Sequence, residues 1–290
     1  MRYRQFPPPP ALTEFVRHFW TLSESTGSSS TRRSREFRII ADGSPGLIFQ
    51  DPAQGGLCFD AVKELPPAFV YGQATRHAEL RLKGGFRTIG VSFAPHGLKA
   101  LFGNDAHEIT DSCIDISEAD PAGGPQLVTD LTHSGAPPGF PSPDEGSPRR
   151  LELLVRYLGA LTERRRSGGS ISATATARQA VDMILKTHGN ITPAGLLAVL
   201  RISERSLERI FKQHVGLTPR MFARICRFQS ALHRLKSSDC EHGRLTEIAF
   251  DADYADQSHF IRSFREFAGF SPREFQRESR AVTENLQWLP

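Results

Sequence analysis

Two short stretches of this sequence set charged, amide and hydroxyl side chains at helical spacing around a few apolar ones. In the first, Leu207, Ile210 and Phe211 mark an inner face and leave Arg205, Ser206, Glu208, Arg209 and Lys212 outward. In the second, Phe260, Phe264 and Phe267 point in, while Gln257, Ser258, Ile261, Arg262 and Arg265 point out. These side chains suit the edges of nucleobases. The planar fork of Arg bridges O6 and N7 of guanine, Gln suits adenine, Glu accepts from N4 of cytosine, and Ile meets a thymine methyl. Each residue taken singly is equally an ordinary solvated helix position. Glu208 is the most ambiguous, since it can pair with Arg205 or Lys212 along its own helix. Arg209 and Arg262 stand out because both fall one turn into a helix, at matching positions.

Other chemistries find less support. A metal oxygenase needs two or three His and a carboxylate converging on one ion. The region before residue 131 offers His18, His77, His96 and His107 without a His-x-His pair. His77 and Glu79, two apart, suit a surface pair on one strand better than a ligand set. No Gly-x-Ser-x-Gly elbow and no phosphate loop occurs. Cys58, Cys113, Cys226 and Cys240 lack metal-ligand spacing and read as reduced structural thiols. No catalytic residue, metal or cofactor is expected.

Both polar stretches need helices to hold them. Ala177–His188 puts Ala180, Val181, Ile184 and Leu185 on one face, and Gly189 stops it. Thr192-Pro193 opens a short helix through Leu196, Leu197 and Leu200, Ser203 caps the next, and Gly216 ends it. A short helix, a turn and a longer helix make a helix-turn-helix. The pattern recurs: Leu245–Phe250, a turn at Asp251–Tyr254, then Asp256–Ala268. Gly216-Leu217-Thr218-Pro219 closes the first unit and Gly269-Phe270-Ser271-Pro272 the second. Arg220–Lys236 forms a long helix between them.

The run from Leu245 to Pro272, with Ser203–Lys212 and Gly216–Pro219 upstream, closely resembles the signature of AraC/XylS-type transcriptional regulators. The resemblance covers about residues 178–280 and implies a bacterial DNA-binding activator or repressor. It places Arg205, Glu208 and Arg209 at base-facing positions of the first recognition helix. Gln257, Ser258, Ile261 and Arg262 take the equivalent face of the second. Ser206, Lys212 and Arg265, with the backbone at Thr218 and Ser271, are expected at phosphates, where they set register. The implied partner is double-stranded DNA, entered at two successive major grooves. RNA polymerase and a small-molecule effector are further candidate partners, and a monomer and a homodimer are both open. One departure is visible: the family usually has Gly where this chain has Asp253, at a turn position that needs a left-handed backbone. Asp tolerates that conformation at some cost, so the second unit is expected to be somewhat less stable.

Length and charge fit this division. At 290 residues the chain suggests about two domains of roughly 150 residues. The net charge of +4 is uneven: residues 1–172 carry 19 basic and 19 acidic side chains, residues 173–290 carry 17 and 13. Fourteen of those 17 are Arg, which suits phosphate and base edges and fits an ordinary solvated surface equally well. No run of 18 apolar residues occurs, so a membrane helix is not expected, and the N-terminus has no apolar signal segment. The expected location is the cytoplasm, on the nucleoid when DNA is bound.

Residues 1–131 read as β-rich. Ala78–Leu82 and Ile89–Phe93 alternate, Leu47–Phe49 and Phe69–Tyr71 are short apolar runs, and Gly97–Phe102 suits a short helix. By weaker resemblance this is a cupin-like sensor or oligomerisation domain. Trp20, Phe49, Tyr71, Phe93 and His96 either line an effector pocket or belong to the core. Residues 132–172 read as a Pro/Gly-rich and Ser/Gly-rich linker region holding an amphipathic helix, 149–166. That helix packs on its own domain or pairs two copies. The expected fold class is α+β with two domains: the β-rich, cupin-like N-terminal domain, and an all-α C-terminal domain over 173–282. The latter has two helix-turn-helix units joined by a linker helix. The alternatives are a regulator whose N-terminal domain only oligomerises, and a cupin-type enzyme fused to a DNA-binding domain.

Overall fold

The computed structural model describes residues 2–24, 35–51, 56–59, 63–83, 86–134, 147–166, 171–237 and 244–282. The N-terminal strands are β1 (Arg2–Phe6), β2 (Val16–Glu24), β3 (Arg35–Ile39), β4 (Gly46–Gln50), β5 (Gly56–Phe59), β6 (Lys63–Glu64), β7 (Ala68–Tyr71), β8 (Ala78–Lys83), β9 (Phe86–Phe93) and β10 (Cys113–Asp115). They pair antiparallel in two sheets, ordered β1-β2-β9-β4-β7-β10 and β3-β8-β5-β6. Period-two alternation sends the two faces of the larger sheet to different cores. Trp20, Leu22, Ile48 and Phe69 meet Leu80 of the smaller sheet. Phe19, Leu47, Phe49, Val70, Val91 and Phe93 face helices. A register shift between Val16 and His18 lets Val16 and Phe19 share that second face.

The covering helices are α1 (Gly97–Phe102), α2 (Ile116–Ala119), α3 (Gly124–His133) and α4 (Ser147–Arg166). Leu154, Leu158 and Leu161 of α4 are buried in the same core as Phe49 and Phe93. Each such side chain contributes about 1.5–3 kcal/mol on leaving water. Of the two roles open to this helix, the structure shows packing on its own domain: α4 is a wall of the N-terminal core. Arg150 fixes its start: the residue is 2% exposed, and its guanidinium reaches Asp51 at 2.8 Å and the Leu131 carbonyl at 3.1 Å. The Pro/Gly-rich stretch at 135–146, the joint at 167–170 and the connector at 238–243, with Cys240, lie outside the described residues.

The C-terminal domain consists of α5 (Ile171–Lys186), α6 (Pro193–Leu200), α7 (Glu204–Val215), α8 (Pro219–Ser237), α9 (Arg244–Asp251), α10 (Gln257–Ala268) and α11 (Pro272–Val282). Both helix-turn-helix units, α6–α7 and α9–α10, form where the apolar spacing puts them. Phe211 packs on Phe222 at 5.7 Å, while Phe228 meets Phe264 edge-on at 5.3 Å, so α8 is the shared floor of both units. Each turn contains a left-handed residue. Asp253 has φ 57°, as the sequence led us to expect, and Arg201 has φ 54°, which it did not reveal. This core also takes in Ile40 and Ala41, from the loop after β3. The two domains therefore share one apolar cluster.

Three largely buried histidines are held neutral. Burial pushes His18 and His214 down to about 4 and lowers His96, with Arg17 and Lys99 adding repulsion to the first two. Unfolded, these rings titrate near 6.5, so the unfolded chain binds more protons between about pH 6.5 and 4. Their contribution to stability is full above pH 6.5 and is lost as pH falls through that window. Asp42 acts in the opposite sense: burial raises its carboxyl to about 6, so its contribution grows as pH drops from 6. One carboxyl does not offset three rings. The urea midpoint should therefore fall between pH 7.5 and pH 5, whereas an unchanged or higher midpoint at pH 5 would contradict the neutral assignment.

Candidate nucleic-acid interface

The helices α7 and α10 are built alike. Ser203 caps α7 by accepting the Ser206 N–H at 3.2 Å, and Asp256 caps α10 by accepting that of His259 at 2.7 Å. Leu207, Ile210 and Phe211 are buried on α7, and Phe260, Phe264 and Phe267 on α10. Burial on one side sets what remains on the other. Arg205, Glu208, Arg209 and Lys212 are exposed on α7, with Ser206 partly so; on α10, Ser258, Arg262 and Arg265 are exposed, with Gln257 and Ile261 half-buried. Arg205, Arg209 and Arg262 have no ion-pair partner among the described residues. Arg209 makes only a long contact with Gln213, at 3.5 Å. All three guanidiniums are free to bind elsewhere.

The residues expected at phosphates differ more. Lys212 and Arg265 are exposed. Thr218 caps α8 through the Met221 N–H at 3.1 Å, and the Ser203 hydroxyl donates to Ser206. At Ser271 the expectation needs correction: its N–H donates to the Glu274 carboxylate at 2.7 Å, while its hydroxyl accepts the Glu274 N–H. This reciprocal cap starts α11 and uses the backbone donor that a phosphate would need.

The opposite ends of the two helices are fastened to the N-terminal domain. Both finish on a glycine with positive φ, 87° at Gly216 and 75° at Gly269. The Gly216 carbonyl accepts from the Thr110 hydroxyl at 2.8 Å, and the Gly269 carbonyl from Arg38 at 3.0 Å. A β-carbon on Gly269 would sit 2.6 Å from the His77 ring, so glycine is required by space as well as by conformation. Further bonds run from the His77 and Ala41 amides to Glu266 and Phe267, and from Gln229 to the Ala41 carbonyl. Arg38 also stacks on Phe270, 3.9 Å from the ring centre. Arg224 of α8 pairs with Glu266 of α10. The Gly-apolar-Ser/Thr-Pro repeat marks both ends in the sequence, but their partners lie more than 100 residues away.

His77 and Glu79 are engaged separately, His77 with Glu266 and Glu79 with Arg38. The five N-terminal aromatics do not share one pocket. Trp20 and Tyr71 lie between the sheets, Phe49 and Phe93 face the helices, and His96 precedes α1. One polar row does occupy the inter-sheet side: His18 opposes Ser92, and Tyr71 lies across from Gly46, which opposes Ser92 on its other edge. Nε2 of His18 and Oγ of Ser92 are buried without a hydrogen-bond partner among the described residues.

A family model described as "Helix-turn-helix domain" matches residues 196–278, and one described as "Domain of unknown function (DUF6597)" matches residues 4–115. The chain is 43% identical over 75 residues to the HTH-type transcriptional activator RhaS of Escherichia fergusonii, covering 26% of each chain. It thus spans about a quarter of that relative's length. Among solved structures, ToxT from Vibrio cholerae aligns over 89% of this chain and 97% of its own, at 11% identity and TM-score 0.44. A probable AraC family regulator from Rhodopseudomonas palustris aligns over 36% of this chain and 97% of its own, at 26% identity and TM-score 0.33.

The fastening makes a prediction that needs no ligand. Gly269→Ala should destabilise the chain by about 1–3 kcal/mol, through the left-handed backbone and the clash with His77. In a His77→Ala background the same substitution should cost less, because the ring is gone. Urea titrations of the four proteins test this, and strictly additive losses would contradict the contact.

Proposed function

We propose that this chain is a sequence-specific DNA-binding transcriptional regulator of the AraC/XylS type whose two recognition helices enter successive major grooves; the helix-turn-helix family match over residues 196–278 supports this reading. The observation that carries this reading is the repeated design of α7 and α10. Each is capped at its start, presents unpaired Arg on its outer face, and is tied to the rest of the protein at its far end. Arg205, Glu208 and Arg209 read one half-site; Gln257, Ser258, Ile261 and Arg262 read the other. Lys212 and Arg265 hold phosphates. RNA polymerase is the partner this role implies at a promoter.

The N-terminal domain supplies regulation in this reading. The buried, unpartnered His18 and Ser92 atoms mark where a small polar effector would find a donor and an acceptor. The same domain grips both recognition units, so strain at the sheets reaches the reading heads through residues 38–41, 77 and 110.

Selection from a pool of random duplexes tests the function. The full chain should enrich a bipartite site with half-sites about one helical turn apart. Arg262→Ala should weaken that site by about 1–3 kcal/mol and relax preference at one position in one half-site. Enrichment of nothing beyond bulk DNA, or a variant with unchanged affinity and unchanged preference, would overturn the assignment.

A further inference from the structure

We infer that the first turns of α8, led by Arg220 with His259 of α10 beside it, form a third DNA contact that holds the phosphate backbone between the two half-sites. The inference rests on the DNA-binding reading above and adds a surface that lies on neither recognition helix's outer face.

Two neighbouring cavities flank the start of α8. The larger, about 630 Å³, is bounded by α6, by Glu204, Leu207 and Glu208 at the start of α7, and by α8. The smaller, about 350 Å³, is lined by Thr218, Arg220, Met221, Arg224 and His259. Thr218 and Arg220 belong to both. The start of α8 therefore lies between the base-reading starts of α7 and α10. A duplex that offers successive major grooves to those two helices must cross this surface with the intervening minor groove and its phosphates.

The chemistry there suits phosphate. Arg220 is exposed and has no ion-pair partner among the described residues. The smaller cavity has no carboxylate, whereas Glu204 and Glu208 line the larger one, so the anion belongs on the α10 side. Thr218 caps the helix and leaves the positive end of its dipole beneath Arg220. The His259 ring makes an edge-on contact with Tyr254, 5.2 Å between ring centres, so it is placed in advance. Arg224 is excluded because it is paired with Glu266. Arginine on backbone oxygens gives affinity and register without base identity.

The test uses the full chain and a duplex selected by it, with Arg220→Ala, Arg220→Lys, His259→Ala, and Arg156→Ala as a charge-matched control on the exposed side of α4. Dissociation constants are measured from 50 to 200 mM salt, beside phosphate-ethylation interference. Arg220→Ala should reduce the slope of log affinity against log salt by about one, so the wild-type advantage shrinks about fourfold across that range. The loss should be the same on duplexes differing in base sequence. Ethylation between the half-sites should stop interfering, Arg220→Lys should keep the slope, and Arg156→Ala should behave as wild type. His259→Ala should weaken interference at the same phosphates. An unchanged slope with an unchanged ethylation pattern overturns the inference while leaving base reading intact, and so does a loss confined to one base identity. A wild-type chain that binds no duplex overturns the functional reading and this surface together.

Discussion

The carbonyls of Gly216 and Gly269, one at the end of each recognition helix, accept hydrogen bonds from the same β-rich domain. That pair of ties sets where both helices sit. Two helices joined only by α8 could rock about their shared floor, and each would then move alone. Here the loop before β4, the residue before β8 and the turn at Thr110 hold the far ends of both. Shared burial of Ile40 and Ala41 with Phe222 and Phe267 makes the attachment apolar as well as polar. Part-buried hydrogen bonds beside an apolar contact fix position more tightly than exposed ion pairs do. The outer faces stay clear because every tie is made at the helix ends remote from the caps.

Charge plays a local role in this arrangement. A net +4 over 290 residues cannot by itself draw a duplex into a defined pose. The useful charge is placed: guanidiniums without ion-pair partners among the described residues lie on the outer faces of α7 and α10, and others such as Arg224 and Arg150 are committed to carboxylates inside the protein. Counting Arg therefore overstates the binding surface, and the distribution of their partners defines it.

The C-terminal half was largely legible before any coordinates were known. Helical spacing of Leu207, Ile210 and Phe211, and of Phe260, Phe264 and Phe267, sorted inward from outward faces because burial of apolar side chains dominates local choice. Asp253 announced its left-handed backbone by occupying a position that favours glycine. Arg201 gave no such signal, since it takes the same conformation as an ordinary helix-end residue. The Leu stripe of α4 showed that one face is buried and left open whether its own domain or a second copy covers it; the fold places it on its own domain. The ties at Gly216 and Gly269 were invisible for a related reason, as Thr110 and Arg38 are unremarkable surface types until the fold brings them there. The same holds for Arg220, which reads as part of a linker helix until two cavities show what lies on either side.

If α7 and α10 are held as one rigid pair, the spacing and phase of their half-sites are fixed. Inserting five base pairs between the half-sites of a selected duplex rotates one half-site by about half a helical turn relative to the other. If the pair is rigid, affinity should fall by about 100-fold or more toward that of a single half-site, since each lost base contact is worth about 1–3 kcal/mol, and ten inserted pairs should restore part of it only by bending the DNA. An affinity that is indifferent to the five-pair insertion would contradict the account, because it would mean that the two heads move independently of the domain to which both are bound.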